Sequence, residues 1–419
     1  MKKIKFTLSL IFTAIPTLLW TGCSQPNGGN QQKSAAQNAF YVDSWTGNDS
    51  HDELSPKTAW KTIARASREN YGPGQSLLLC EGRTFPGKLD LKVSGSAGDP
   101  FVVSSYPSDI GSDAMPVIDG AGYRACVEVQ DGSHFVISNL ELTADAGVPV
   151  ETIARTERYG VLVQANTKGI HAGVTLKNLN IHDIFATESV DNDGQNPTSN
   201  KGYGIWISMQ NVDAKIRDVV IEDCTLRKTG HTGIRIFGAY SEEPGNVYLE
   251  NIQILNNYLK QIGGPGMVPG RCQNLLVRGN ITDDTGSDVD PRMHNRGSGI
   301  WPWTSKDVLI EHNRFMHAFG KHDSHGAHID FNCENVVVQY NLSIDNHGGF
   351  VEILGNNKNC SYRYNISVND GWRNEGELGA LSEGNTLWFS GYTGHNSPRI
   401  GPHNSYVYNN TVYVKADQR

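Results

Sequence analysis

Positive charge is what this 419-residue chain has little of: 36 Lys and Arg against 44 Asp and Glu leave a formal charge of −8. A deficit of that sign provides no basic face for nucleic acid. Cysteine is scarce too, and the six after Cys23, at 80, 126, 224, 272, 333 and 360, form neither a CxxC pair nor a zinc spacing. They read as buried free thiols rather than disulfides. No apolar run is long enough to span a membrane, since Met1 to Leu19 is Lys-rich and then apolar over too short a stretch. Nor does the body of the chain carry an amphipathic pattern long enough for a crossover helix.

What is present is a repeat. An aliphatic pair, a polar step, Asn and an apolar-polar-apolar triplet recur in VISNLEL (Asn139), TLKNLNI (Asn178), ILNNYLK (Asn257), LVRGNIT (Asn280), LIEHNRF (Asn313), VVQYNLSI (Asn341), SYRYNISV (Asn365) and YVYNNTV (Asn410). VIEDCTL puts Cys224 at the same place. The spacing runs from 23 residues (257 to 280) to 46 (178 to 224), so the unit repeats while its loops vary. Each unit holds short period-2 segments broken by Gly, Asn and Asp, which predicts strands stacked about 4.8 Å apart as coils of a parallel β-helix. The uneven period disfavours a propeller. An Asn at one turn of every coil would form an amide ladder along the axis, with residues 139, 178, 224, 257, 280, 313, 341, 365 and 410 at one corner.

The fold class expected is therefore all-β, a single solenoid over residues 39–419. Ser55 to Ser67 predicts a short capping helix, with Ser55 at the N-cap, Pro56 at the first helical position and Ala59, Trp60, Ile63 and Ala66 along one face. Such a helix would cover the open end of the first coil.

A second strand of each coil has the form Gly, apolar, X, apolar, with X outward. Aligning YGVLV, YGIWI, TGIRI, GPGMVP, SGIWPW, AHIDF and GFVEI stacks Leu162, Trp206, Arg235, Val268, Trp301, Asp330 and Glu352 on one outer strip. The aromatics Trp206, Trp301 and Trp303 offer flat faces to sugar rings, and Arg235 offers a fork to a carboxylate or sulfate. Asp330 and Glu352 are 352 − 330 = 22 residues apart, about one coil, which predicts a carboxylate pair on adjacent strands. Two acids that close drive one pKa upward and divide into an acid and a base or nucleophile, as glycoside hydrolysis requires. A structural reading, two solvated residues on a sheet, is the competing account.

His322, Asp323 and His325 are expected in the loop entering that coil, with His328 outward beside Asp330. Asp323 joins the catalytic set, and His231, His325 and His328 the substrate contacts. Three-residue steps among His322, His325 and His328 match no zinc motif, so no metal is assigned there. Asp283, Asp284, Asp288 and Asp290 could take calcium but fail the EF-hand pattern, and a solvated loop walling the cleft is the alternative. The insert between Ile181 and Lys201 is expected as a further wall.

The opening FYVDSWTGNDSHDELSPKTAWKTIARAS, followed by MPVIDG, resembles the entry segment of right-handed parallel β-helix proteins of the pectate-lyase-like superfamily. GAHIDFNCENVVVQYNLSIDNHGGFVEILGNN resembles a recurring segment of Bacteroidota β-helix proteins. The resemblance implies a right-handed coil and action on a polysaccharide or oligosaccharide. TGIRIFG faintly resembles the Arg-bearing strand of alginate-lyase-type β-helices, which keeps open a lyase using Arg235 with His231 or His328. A non-catalytic glycan-binding solenoid is the third reading. Residues 1–22, running into WTGC, resemble a bacterial lipoprotein signal with lipid on Cys23, an ordinary secretory signal being the alternative because Trp20 stands where Leu is usual. Residues 23–38 would be a flexible tether. The resemblance implies a place on an outer membrane, on its periplasmic side or at the cell surface, touching the membrane through the lipid alone; a monomer is expected.

Overall fold

A computed structural model describes residues 38–189 and 201–416. The signal segment, Cys23 and the tether up to residue 37 lie outside the described residues, as do 190–200 of the expected wall. Among the described residues no helix is long and apolar enough to cross a membrane.

Short strands return to the same three faces in every coil. A 21-stranded sheet wraps two of them, because strands such as Gly169–Phe185 bend at the corner and continue on the next face. The third face begins with seven strands from Asn70–Tyr71 to Met267–Gly270. Single bridges at Ile300 and Trp303 carry it into the strands His325–Ile329, Gly349–Ile353 and Leu387–Phe389. Pairing on these faces is parallel throughout, and the small Ala239–Tyr240 to Asn246–Val247 pair is antiparallel. Inward residues align in columns: Ile137, Leu176, Ile221, Ile254, Val277, Ile310, Val338 and Tyr362 stack in register and are all buried. β-Branched side chains suit such a column because they pack against neighbours across the pleat, each burial contributing about 1.5 to 3 kcal/mol.

The bend between the first two faces has a fixed recipe. One residue adopts left-handed backbone and the next points inward. The left-handed residues are Asn139, Asn178, Asp223, Asn256, Gly279, His312, Tyr340, Tyr364 and Asn409. From the coil of Asn257 onward the inward residue is Asn, whose Nδ2 donates to the Oδ1 of the next. The distances are 2.9 Å for Asn257 to Asn280, 3.0 Å for Asn280 to Asn313, Asn313 to Asn341 and Asn341 to Asn365, and 2.9 Å for Asn365 to Asn410. Cys224 ends the ladder by donating its backbone N–H to Asn257 Oδ1. Asn139 and Asn178 share the corner but not the rung. They occupy the outer left-handed place, which Asn tolerates, half-buried at Asn139 and exposed at Asn178, and pair outside the core, while Leu140 and Leu179 fill the inner position.

The capping helix is shorter than expected and broken. Pro56–Thr58 is a 3₁₀ turn in which Ser55 makes no side-chain cap, and the α-helix is the single turn Ile63–Ala66, capped by Thr62 Oγ1 accepting from Arg65 N–H. Trp60 prevents continuity, because its backbone pairs with Val42 as the first strand neighbour of the stack. The predicted apolar face nevertheless holds: Ala59, Trp60, Ile63 and Ala66 are all buried. The six described cysteines are buried and free.

Candidate active site

On the third face, register decides which side chains meet. The residue opposite Glu352 is His328, not Asp330, and one coil earlier His328 stands opposite Trp301. The outer row therefore reads Leu162, Trp206, Arg235, Val268, Trp301, His328, Glu352, Trp388. The expected pairing of Asp330 with Glu352 fails by two residues. In Gly326-Ala327-His328-Ile329 the Gly-apolar-X-apolar frame places His328 outward, whereas aligning on the acidic residue skipped one alternation. Asp330 lies in the next outward row, beside Trp303, because its N–H donates to Pro302 O.

Glu352 is not solvent-facing either. It is 2% exposed, as are His325 and His328, whose Nδ1 atoms lie 2.9 and 3.0 Å from its Oε2. Both imidazoles thus converge on one carboxylate oxygen. Burial pushes the Glu352 carboxyl upward, but His325 and His328 outweigh it and hold the group well below the ordinary carboxylate range. Burial acts against the His328 cation as well, yet Glu352, with smaller help from Asp330 and Asp323, raises its pKa to about 9. These three residues are the described group whose ligand atoms, all within 4.8 Å of one another, could hold a small cation. Here Glu352 is met by the imidazoles themselves. His325 belongs to the strand His325–Ile329, not to the loop before it, and packs edge-on to His328.

A stability prediction follows from His328. Its contribution is complete below the ordinary histidine value of 6.5 and is lost as pH rises through about 9, while that of Glu352 survives until pH falls well below 4.5. Melting temperature should fall between about pH 7 and about pH 10, and Glu352→Gln should flatten that fall. Parallel melting profiles for the two proteins would remove the pair from the account.

Asp323 and Asp330 flank this strand at its two ends. Asp323 and Ser324 are consecutive left-handed residues (φ 52° and 68°), a conformation that stores strain and re-aims the side chain. The turn is backed by Gly348, where a Cβ would sit 1.7 Å from Asp323 O. Arg296 Nε donates to Asp323 Oδ2 at 2.7 Å. Burial alone would raise the Asp323 pKa, but Arg296 and then His328 bring it below the ordinary value. Asp330 has no such clamp. Burial raises its carboxyl to about 6, offset in part by His328 and by the Phe331 N–H donating to Oδ1 at 2.8 Å. The negative charges of Glu352 and Asp323 both push the same way. One acid is thus held ionised and the other is half protonated near pH 6.

The aromatics form walls. Trp301 stacks on His328 with ring centroids 5.1 Å apart, and Trp303 lies against Phe237 (5.3 Å) and Phe331 (6.1 Å), with Tyr392 beyond (5.9 Å from Phe331). Gly270 is required beneath Trp303, since a Cβ there would meet the indole nitrogen at 2.5 Å. Trp206 is not a bare platform: Tyr203, Tyr159 and Phe237 pack around it and Arg235 lies over it at 4.7 Å. His231 is buried, stacked on His294 at 4.3 Å and 5.2 Å from the Tyr203 ring, with Thr232 Oγ1 close to its Nδ1. The four loop aspartates do not converge. Asp283 meets His317 and Lys260, Asp284 accepts from Ser287, Asp290 is clasped by Arg292, and Asp288 is exposed. Their loop pairs through Arg296 with Gly320 on the segment that enters the next coil. Arg296, Phe331, Trp388 and Tyr392 went unread in the sequence. TLWFS has the apolar-X-apolar form without its leading Gly, and Arg296 lies in a segment whose aspartates drew notice first.

The three-faced parallel coil stack is a β-helix, and the chain belongs to the family of right handed beta helix regions, matched over residues 118–412. Among individual proteins it is similar to the lacto-N-biosidase of Bifidobacterium longum subsp. longum, 25% identical across 97% of this chain and 29% of that one. The chain thus spans less than a third of that relative's length. The crystal structure of a GH136 lacto-N-biosidase from Eubacterium ramulus matches with a TM-score of 0.68 and 22% identity, over 90% of this chain and 68% of the other. The Dettilon tailspike protein matches with a TM-score of 0.54 and 14% identity, over 90% and 62%.

Proposed function

We propose that this chain is a glycoside hydrolase acting on an oligosaccharide or polysaccharide laid across the third face, with Asp330 as general acid and Asp323 as the ionised base or nucleophile. The observation that carries the reading is the divergence of two carboxyl groups flanking one strand, Asp330 pushed up to about 6 and Asp323 held down by Arg296. Protonating a leaving oxygen needs a neutral acid, and attack from the opposite side needs an anion. Glu352 is a positioning residue in this scheme: fully buried, it fixes the charge of His328, which lies beneath Trp301 and beside both aspartates. The similarity to lacto-N-biosidases across nearly the whole chain supports the same reaction class. Elimination on a uronate is less well supported, because His328 is held protonated by Glu352 and His231 is buried against His294, leaving neither as a ready base.

Product chemistry tests the proposal. Oligosaccharides of the kind a lacto-N-biosidase takes, together with uronate-containing polysaccharides, should yield new reducing ends without an absorbing 4,5-double bond. An unsaturated uronate product would make the protein a lyase.

A further inference from the structure

Two guanidinium groups on the same patch have no carboxylate partner among the described residues. Arg235 lies over the seam of a stacked pair, with its Cζ 4.7 Å from the Trp206 ring and 4.4 Å from Phe237. Its Nε is buried and without a hydrogen-bond partner. Arg271, one coil further, lies 4.5 Å over Trp303 and 5.1 Å from Tyr240, with Nε donating to Asn246 Oδ1. Phe237 and Trp303 separate the two cations by a single ring pair, 5.3 Å between centroids. On the neighbouring loop, by contrast, Arg292 has Asp145 and Asp290, and Arg296 has Asp323. Burial lowers the pKa of both Arg235 and Arg271, and no acidic side chain compensates. A half-desolvated cation lacking its counter-charge is costly until an anion arrives, and a planar fork resting on aromatic faces is already aimed.

We propose that Arg235 and Arg271 form an anion subsite, N-terminal to Asp330 along the coil axis, that takes the carboxylate or sulfate of an acidic glycan while Trp206, Phe237 and Trp303 hold its sugar faces. This rests on the glycoside hydrolase reading for its substrate, but it is a claim about binding and can fail separately. A charge-assisted hydrogen bond contributes about 1.5 to 3 kcal/mol, so losing one should weaken binding roughly 10- to 100-fold.

The test is an array of matched glycans, neutral, uronate-bearing and sulfate-bearing on the same cores, probed with intact protein carrying Asp330→Asn so that turnover does not erode the signal. At least one acidic member should bind at least about tenfold more tightly than its neutral match, with an advantage that shrinks as salt is raised. Whether the uronate or the sulfate arm wins identifies the anion. Arg235→Gln and Arg271→Gln should each remove most of that advantage, while Arg235→Lys, which keeps the charge if the stack needs a long side chain to fold, should restore part of it. Equal binding of neutral and acidic glycans, an acidic preference untouched in both Gln variants, or no binding to any member overturns the subsite. Hydrolysis retained in the Asp330→Asn protein with the acidic preference intact would instead strike the catalytic assignment.

Discussion

Asp330→Asn is expected to lower kcat by roughly 10² to 10⁴-fold on whichever oligosaccharide the protein cleaves, the range typical of losing one acid–base group. The amide is nearly isosteric, and its Oδ1 can still accept from Phe331 N–H, so the strand end should keep its shape. What disappears is a proton available near pH 6. The wild-type pH profile of kcat/KM should accordingly descend as pH rises through about 6, the value to which burial lifts this carboxyl. Asp323→Asn should cost a similar factor for the opposite reason, removal of the anion, while its amide Oδ1 can still accept from Arg296 Nε. Glu352→Gln separates positioning from chemistry: it should move the pH profile through His328 and spare more of kcat than either aspartate variant. Full activity in both Asp330→Asn and Asp323→Asn would end the two-carboxylate mechanism.

The largest stability effect is expected at Asn313. Its Nδ2 donates to Val277 O, Glu311 O and Asn341 Oδ1, and its Oδ1 accepts from both the backbone N–H and the Nδ2 of Asn280. Asn313→Leu keeps the volume and strands these partners in a dry interior. Each buried unsatisfied group costs about 1 to 3 kcal/mol, and with some relaxation a loss of about 3 to 5 kcal/mol is expected. Asn178→Gly, at the same corner but in the exposed left-handed place, should change stability by less than about 0.5 kcal/mol. Denaturant melts of the two variants decide this, and equal losses would mean that the ladder does not carry the corner.

These contrasts show where the sequence was legible. The repeat was, because a buried amide ladder and apolar columns impose the same residue class at the same place in coil after coil, as at Asn280, Asn313 and Asn341. It misled at Asn139 and Asn178, since the left-handed place and the inner rung are adjacent and both favour Asn. The outward row was legible at Trp206, Arg235 and Trp301, where Gly fixes the frame. It slipped at Asp330, because acidic chemistry was matched to acidic chemistry ahead of strand alternation. Burial of the polar site was not legible: nothing in GFVEI announces that Glu352 is enclosed by two histidines, for both come from the neighbouring strand, 24 to 27 residues earlier.

Coil length and coil register are independent in this molecule. Rungs stay at 2.9 to 3.0 Å whether the intervening chain is 23 residues, as from Asn257 to Asn280, or 45, as from Asn365 to Asn410. The entropy of closing a flexible loop grows only logarithmically, about 0.6 kcal/mol for each doubling of length. Insertions at the corners are therefore nearly free thermodynamically, and the stacked frame hardly registers them. The segments carrying Arg296 and Asp323 are such insertions. Those segments can thus be rewritten with every column and rung left in place, whereas Trp206, Arg235 and Phe237 belong to the strands and are tied to the frame.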